Sequence, residues 1–97
     1  MAEIVVIGGG AAGMMAAVAA SQAGNVFGAN VTLLEKNEKL GKKLFITGKG
    51  RCNVTNACEA EALFNNVLEH DKFLYSAIYS FDNQAVMDFF ETNGCKL

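Results

Sequence analysis

The sequence predicts an α/β fold that opens with a strand–helix–strand unit, and three observations carry that reading. Ile4-Val5-Val6-Ile7 is an uncharged, β-branched run, the texture of a strand buried on both faces of a parallel sheet. Gly8, Gly10 and Gly13 then stand as G-x-G-x-x-G ahead of an alanine-rich stretch. Val31-Thr32-Leu33-Leu34 repeats the strand texture and runs into Glu35. Residues 1–35 therefore read as one βαβ crossover, a parallel and almost always right-handed connection.

Ala11 to Ala23 is a good helix former, interrupted only by Gly13, and Gly24 is the expected stop. The link from Gly24 to Asn30 looks longer than the shortest versions of this unit, and its excess is expected to bulge at the surface without moving Glu35. Residues 36–56 change to lysine, glycine and asparagine with one apolar patch, Leu44-Phe45-Ile46. They read as a long loop carrying a short turn or helix, and loops of that length in compact domains are usually functional.

Residues 57–94 carry helical patterns. Glu59 to Leu68 places Leu63, Phe64, Val67 and Leu68 on one side. Asp71 is the expected N-cap of a second helix through Phe73, Leu74, Ala77 and Ile78. Asp82 caps a third, with Ala85, Val86, Phe89 and Phe90 inward and Asn93-Gly94 as its stop. The aromatic stripe is ordinary core packing in this reading. Cys95-Lys96-Leu97 is expected to begin another strand. Two strands and the start of a third cannot complete a parallel sheet with helices on both faces. Residues 1–97 are thus expected to be the N-terminal part of a domain whose remainder lies elsewhere.

Composition narrows the function. A chain of 97 residues makes one small domain, and 52% hydrophobic residues with mean hydropathy +0.22 is rich for that size. Net charge is −2 with pI near 5.2, and the eight Lys and Arg form no basic run. That argues against a nucleic-acid partner. Three cysteines without a C-x-x-C spacing, and a single histidine, offer no ordinary zinc set. Free thiols in a reducing cytoplasm are the expectation. Ile4 to Gln22 is uncharged, and Ala17-Val18-Ala19 mimics a cleavage site, yet Glu3 is the only charge before it. A signal peptide needs a positive start, and a membrane helix would carry four glycines at about 1 kcal/mol each. Neither export nor a membrane partner is expected.

The glycines have a better use. Gly8 permits the tight turn out of the strand, Gly10 lets a diphosphate approach bare main chain, and Gly13 lets helix and sheet pack closely. Gly9 lies between the first two, and Ala11 and Ala12 open the helix whose N–H groups and dipole face the phosphates. No lysine sits in the loop, and Met14 stands where a Walker A motif would place one, which excludes an ATPase-type P-loop. Glu35, 22 residues past Gly13, can accept from ribose hydroxyls and would repel a 2′-phosphate. This is an FAD/NAD(P)-binding, Rossmann-like unit, and the βαβ element alone does not separate FAD from NAD.

The next segment bears on that choice. Lys36 to Asn56, containing G-K-K-L-F-I-T-G-K-G-R-C-N-V-T-N, follows an opening I-G-G-G-A-A-G-M and a strand ending L-E-K. Together they resemble a family of NAD(P)/FAD-dependent oxidoreductases that includes the aminoacetone oxidases and the bile-acid dehydro-reductases. The resemblance covers nearly all of residues 3 to 56 and weakens through the helices beyond. It implies that the opening glycines and Glu35, with Lys36 beside it, hold the ADP part of FAD. It also implies that Lys43, Thr47, Gly48, Gly50, Arg51, Cys52 and Asn53 lie along the cofactor toward its diphosphate and flavin. Residues 36–56 would then be a cofactor loop. Chemistry agrees: Gly48 and Gly50 permit anion-binding backbone nests, Arg51 suits a phosphate or carboxylate, and Asn53 both donates and accepts.

The full protein implied is a flavoprotein passing electrons from NAD(P)H through FAD to a small organic acceptor or oxygen, with this segment alone giving little turnover. No residue here is assigned as a catalytic acid or base. Two alternatives stay open: an NAD-dependent dehydrogenase domain, and a non-catalytic dinucleotide-binding module. Cys52 and Cys58 have five residues between them, one more than the redox pair of flavin disulfide reductases, which argues against a catalytic disulfide. His70 reads as a surface residue.

Overall fold

A computed structural model describes residues 2–47 and 53–97. The chain forms two compact units, Met1–Cys52 and Asn53–Leu97. In the first, strand β1 (Ala2–Ile7) leads to helix α1 (Ala11–Phe27), strand β2 (Ala29–Leu34) and a short helix α2 (Lys42–Ile46). The two strands pair in parallel from Ala2 opposite Ala29 to Ile7 opposite Leu34. This is the α/β fold with the parallel, incomplete sheet that the sequence predicts.

Side-chain alternation sorts the strands into two faces. Ile4 and Val6, opposite Val31 and Leu33, are half-buried. Val6 lies toward α1, because a Cβ on Gly13 would sit 3.7 Å from its Cγ1. Val5 and Ile7 face the other way and are 56% and 84% exposed. Uniform apolar strands predict cover on both faces; α1 covers one within this unit. No hydrophobic side chain among the described residues is fully buried.

The end of α1 departs from expectation. The helix continues through Gly24 to Phe27 and stops at Gly28, which takes the left-handed conformation at φ 72° and donates its N–H to the Gly24 carbonyl. Gly24 is buried instead, with space for a Cβ closed by the Ala29 Cβ at 3.1 Å. Its missing side chain lets the last turn of α1 lie on the start of β2. The residues expected to bulge are one further helical turn, and β2 begins directly at Ala29.

The second unit holds α3 (Ala60–Phe64), a 3-10 turn (Asp71–Leu74), α4 (Tyr75–Ser80) and α5 (Asn83–Thr92). Asp82 caps α5 as expected, its carboxylate accepting the Ala85 N–H at 2.8 Å. At the other end the Gly94 N–H donates to Glu91 and the Cys95 N–H to Phe90. With Gly94 at φ 91°, this is a Schellman stop. Two expectations are corrected. Helix α3 ends at Phe64, short of Leu68. Asp71 does not cap a helix: its carboxylate takes the neighbouring Lys72 N–H, and the chain enters a 3-10 turn behind His70 at φ 60°. Short polar side chains compete locally with helix in this way. Residues 95–97 form no strand. Asn83 is the buried polar residue among those described, and its amide donates to the carbonyls of Asn56 and Cys58. The aromatic residues pack on one another, Phe64 on Tyr75 edge-on at 4.6 Å and Phe89 on Phe90 at 5.3 Å. No helix of the described residues is long and apolar enough to cross a membrane.

Candidate dinucleotide-binding site

The connection from β1 to α1 is built from three glycines in three different states. Gly8 extends the ladder by donating its N–H to the Leu34 carbonyl at 2.8 Å, then turns at φ 100°. That conformation is open to glycine and strained for any other residue. Gly9 is buried, and a Cβ there would collide with the Leu40 side chain and press on the Glu35 carboxylate. Gly10 is exposed, extended at φ −80°, and among the described residues nothing lies within 4 Å of where a Cβ would point.

Helix α1 starts under this loop. The first helical bond runs from the Met14 N–H to the Gly10 carbonyl at 2.9 Å. The N–H groups of Ala11, Ala12 and Gly13 precede that bond, and no side chain caps the end. A Cβ on Gly13 would fall inside the contact distance of the Gly8 carbonyl oxygen. The helix therefore reaches this position only because residue 13 is glycine, and it presents an uncapped, positive end to open space beside Gly10.

Glu35 faces this corner from the end of β2. Its Oε1 accepts the Gly9 N–H at 2.8 Å, and its Oε2 accepts both the backbone and side-chain N–H of Asn37 at 2.8 Å each. A carboxylate offers about four acceptor positions, so one remains, on Oε1. The Asn37 backbone N–H, then the Gly9 N–H, hold the Glu35 carboxyl below the usual range; partial burial opposes them, and the Asn37 side chain and the Lys36 charge add to the lowering. The group is ionised at neutral pH. A depressed folded-state pKa gives stability that is fully present above the unfolded value, about 4.3, and lost as pH falls through the folded one. Thermal unfolding followed between pH 6 and 3 should show an acid limb that is shallower in Glu35→Gln, and an unchanged limb would contradict the assignment.

The sequence-predicted residues divide clearly. Gly8, Gly9, Gly10, Ala11, Ala12, Gly13 and Glu35 meet in one corner. Lys36 follows Glu35 and is exposed. Lys43 is exposed on α2, and Thr47 ends that helix, its hydroxyl donating to the Leu44 carbonyl at 2.9 Å. Gly48, Gly50, Arg51 and Cys52 lie outside the described residues. Asn53 is exposed at the start of the second unit. Sequence reasoning missed Asn37, Leu40 and Gly41. Gly41 sits at φ 67° and donates its N–H to the Gly9 carbonyl at 2.7 Å, anchoring α2 to the glycine loop. Its signal is a glycine just ahead of the short apolar patch Leu44-Phe45-Ile46.

A parallel βαβ unit with a glycine turn, an uncapped helix start and an acid at the next strand end defines a Rossmann-type dinucleotide-binding domain. The chain belongs to the HI0933-like protein Rossmann domain family, whose model matches residues 2–97. It is 36% identical over 94 residues to the 3-dehydro-bile acid delta(4,6)-reductase of Clostridium scindens, covering 97% of this chain and 22% of that protein. It is 33% identical over 92 residues to the ribosomal RNA dihydrouridine synthase of Escherichia coli, covering 95% of this chain and 22% of the relative. The protein of the same name from Haemophilus influenzae is 32% identical over 81 residues, 84% of this chain and 19% of that one. The chain thus spans about a fifth of these relatives.

Proposed function

We propose that this chain is the FAD-binding portion of an oxidoreductase that takes electrons from NAD(P)H and passes them to a small-molecule acceptor in the cytoplasm. The observation that carries the reading is the open space over Gly10, between an uncapped helix start and an ionised carboxylate. The proposed diphosphate needs donors without a side chain in the way, and the N–H groups of Ala11, Ala12 and Gly13 beside Gly10 are the candidates. A ribose fits beside it on the free acceptor position of Glu35. Lys36, Lys43, Thr47, Gly48, Gly50, Arg51, Cys52 and Asn53 complete the proposed cofactor contacts.

Bound FAD would supply the two-electron chemistry, accepting hydride from NAD(P)H and passing reducing equivalents on. The chain's own part is positional. Gly8 and Gly13 set the corner, Gly10 leaves it unobstructed, and Glu35 fixes the sugar. The relatives' names, a delta(4,6)-reductase and a dihydrouridine synthase, both describe hydrogen added to a carbon–carbon double bond. They support a conjugated double bond as the acceptor, with oxygen as the alternative. In the test, purified full-length protein carries a flavin absorbance spectrum that bleaches under anaerobic NAD(P)H and returns when acceptor is added. A colourless protein that gains no flavin spectrum with added FAD would support an NAD-dependent dehydrogenase instead. Flavin that is bound but never reduced would support a non-catalytic module.

A second reading gives the acceptor as a base in RNA. Six of the eight Lys and Arg, Lys36, Lys39, Lys42, Lys43, Lys49 and Arg51, fall within one short segment. Lys39 and Lys42 line a mainly apolar groove with Glu38, Leu40, Ile46 and Phe45, the last 88% exposed. Exposed aromatic rings among cations suit single-stranded nucleic acid. Retention of ribosomal RNA at low salt, falling steeply as salt rises, favours this reading; no retention at any salt favours the small molecule.

A further inference from the structure

Resting on the FAD reading, we propose that Asn37 and Gly41 are positioning residues of the dinucleotide site, holding Glu35 and Gly9 in place before the cofactor arrives. The Gly9 peptide is gripped on both sides. Its N–H goes to Glu35 Oε1 and its carbonyl takes the Gly41 N–H. The Leu40 side chain lies over it, so a side chain at residue 9 would have to displace Leu40 and press on Glu35. Gly10 follows directly, and its open direction is fixed by how the Gly9 peptide is oriented.

Asn37 acts one step further out. Its backbone N–H and its side-chain amide both donate to Glu35 Oε2, which leaves Oε1 to serve Gly9 and the open corner. Without the side-chain bond the carboxylate keeps only the backbone N–H groups of Asn37 and Gly9 and is held less firmly against the glycine loop. Lys36 is the charged group acting on it, and it is exposed. Gly41 contributes through its backbone. At φ 67° it is left-handed, a conformation that asparagine tolerates and β-branched residues do not. A Cβ there would also sit 3.2 Å from the end of Met14, a flexible side chain that can yield.

The test is a double-mutant cycle on FAD affinity in the full-length apoprotein, with Tm recorded for every variant. Asn37→Ala should weaken FAD binding about five-fold, the size of one lost hydrogen bond. The same substitution in a Glu35→Ala background should change affinity less than about two-fold, because its effect passes through Glu35. Gly41→Asn should retain more affinity than Gly41→Val. Equal losses from Asn37→Ala in both backgrounds, or no loss in either, overturn the positioning role while leaving the cofactor reading intact. A parent protein that takes up no FAD overturns both.

Discussion

Gly10→Val is expected to abolish flavin retention on purification and to weaken FAD binding by on the order of 100-fold, the loss of two or so charge-assisted hydrogen bonds. The folded apoprotein should be unaffected. Gly10 is at φ −80° in extended backbone, which any residue adopts, and a Cβ there meets nothing within 4 Å among the described residues. The valine methyl groups would fill only the space proposed for the diphosphate. Circular dichroism and the apoprotein Tm should therefore match the parent, with the FAD-dependent rise in Tm missing. Undiminished flavin content in this variant would contradict the placement of the diphosphate.

Gly13→Ala should behave in the opposite way, although the two glycines belong to one motif. Here the added carbon would enter the Gly8 carbonyl oxygen, a backbone atom that cannot rotate aside. Helix α1 must shift off the strand end, an overpacking cost of typically 1–3 kcal/mol. That loss lowers Tm. The loss should appear with and without FAD, and flavin affinity should fall as well because α1 carries the donors. A Gly13→Ala apoprotein with parental Tm would show that the helix and strand have room to spare. The pair separates two roles that a motif match joins: one glycine makes room for a ligand, the other for the protein itself.

Much of this corner was legible in the sequence because each glycine has a short-range, physically distinct cause. The strand runs, the helix start and Glu35 at the strand end all followed from residues within a few positions of one another. So did the Asp82 cap and the Gly94 stop. Misses came where tertiary packing overrode local propensity. Gly24 looked like a helix stop, yet it is needed inside the helix because Ala29 lies against it, and Gly28 takes the stop instead. Asp71 looked like a cap, but its carboxylate closed on the next residue. Asn37 carries no motif, and Gly41 opens the stretch that carries the family resemblance without any role of its own being readable there. Their roles appear only once the segment after β2 folds back over Gly9, a contact between residues more than twenty-five positions apart in the chain. Residues 36–56 are linked to the cofactor by resemblance alone, and part of that stretch, Gly48 to Cys52, lies outside the described residues.

The central claim is that a dinucleotide's diphosphate rests on the main chain at Gly10, and selective glycine 15N labelling of the full-length apoprotein tests it most directly. Gly28 is an internal control, at the far end of α1 and about 25 Å away by helix length. On titration with ADP, the amides of Gly8, Gly9 and Gly10 should shift together and saturably while Gly28 stays fixed. ADP binding that leaves the Gly10 amide unmoved would contradict the account.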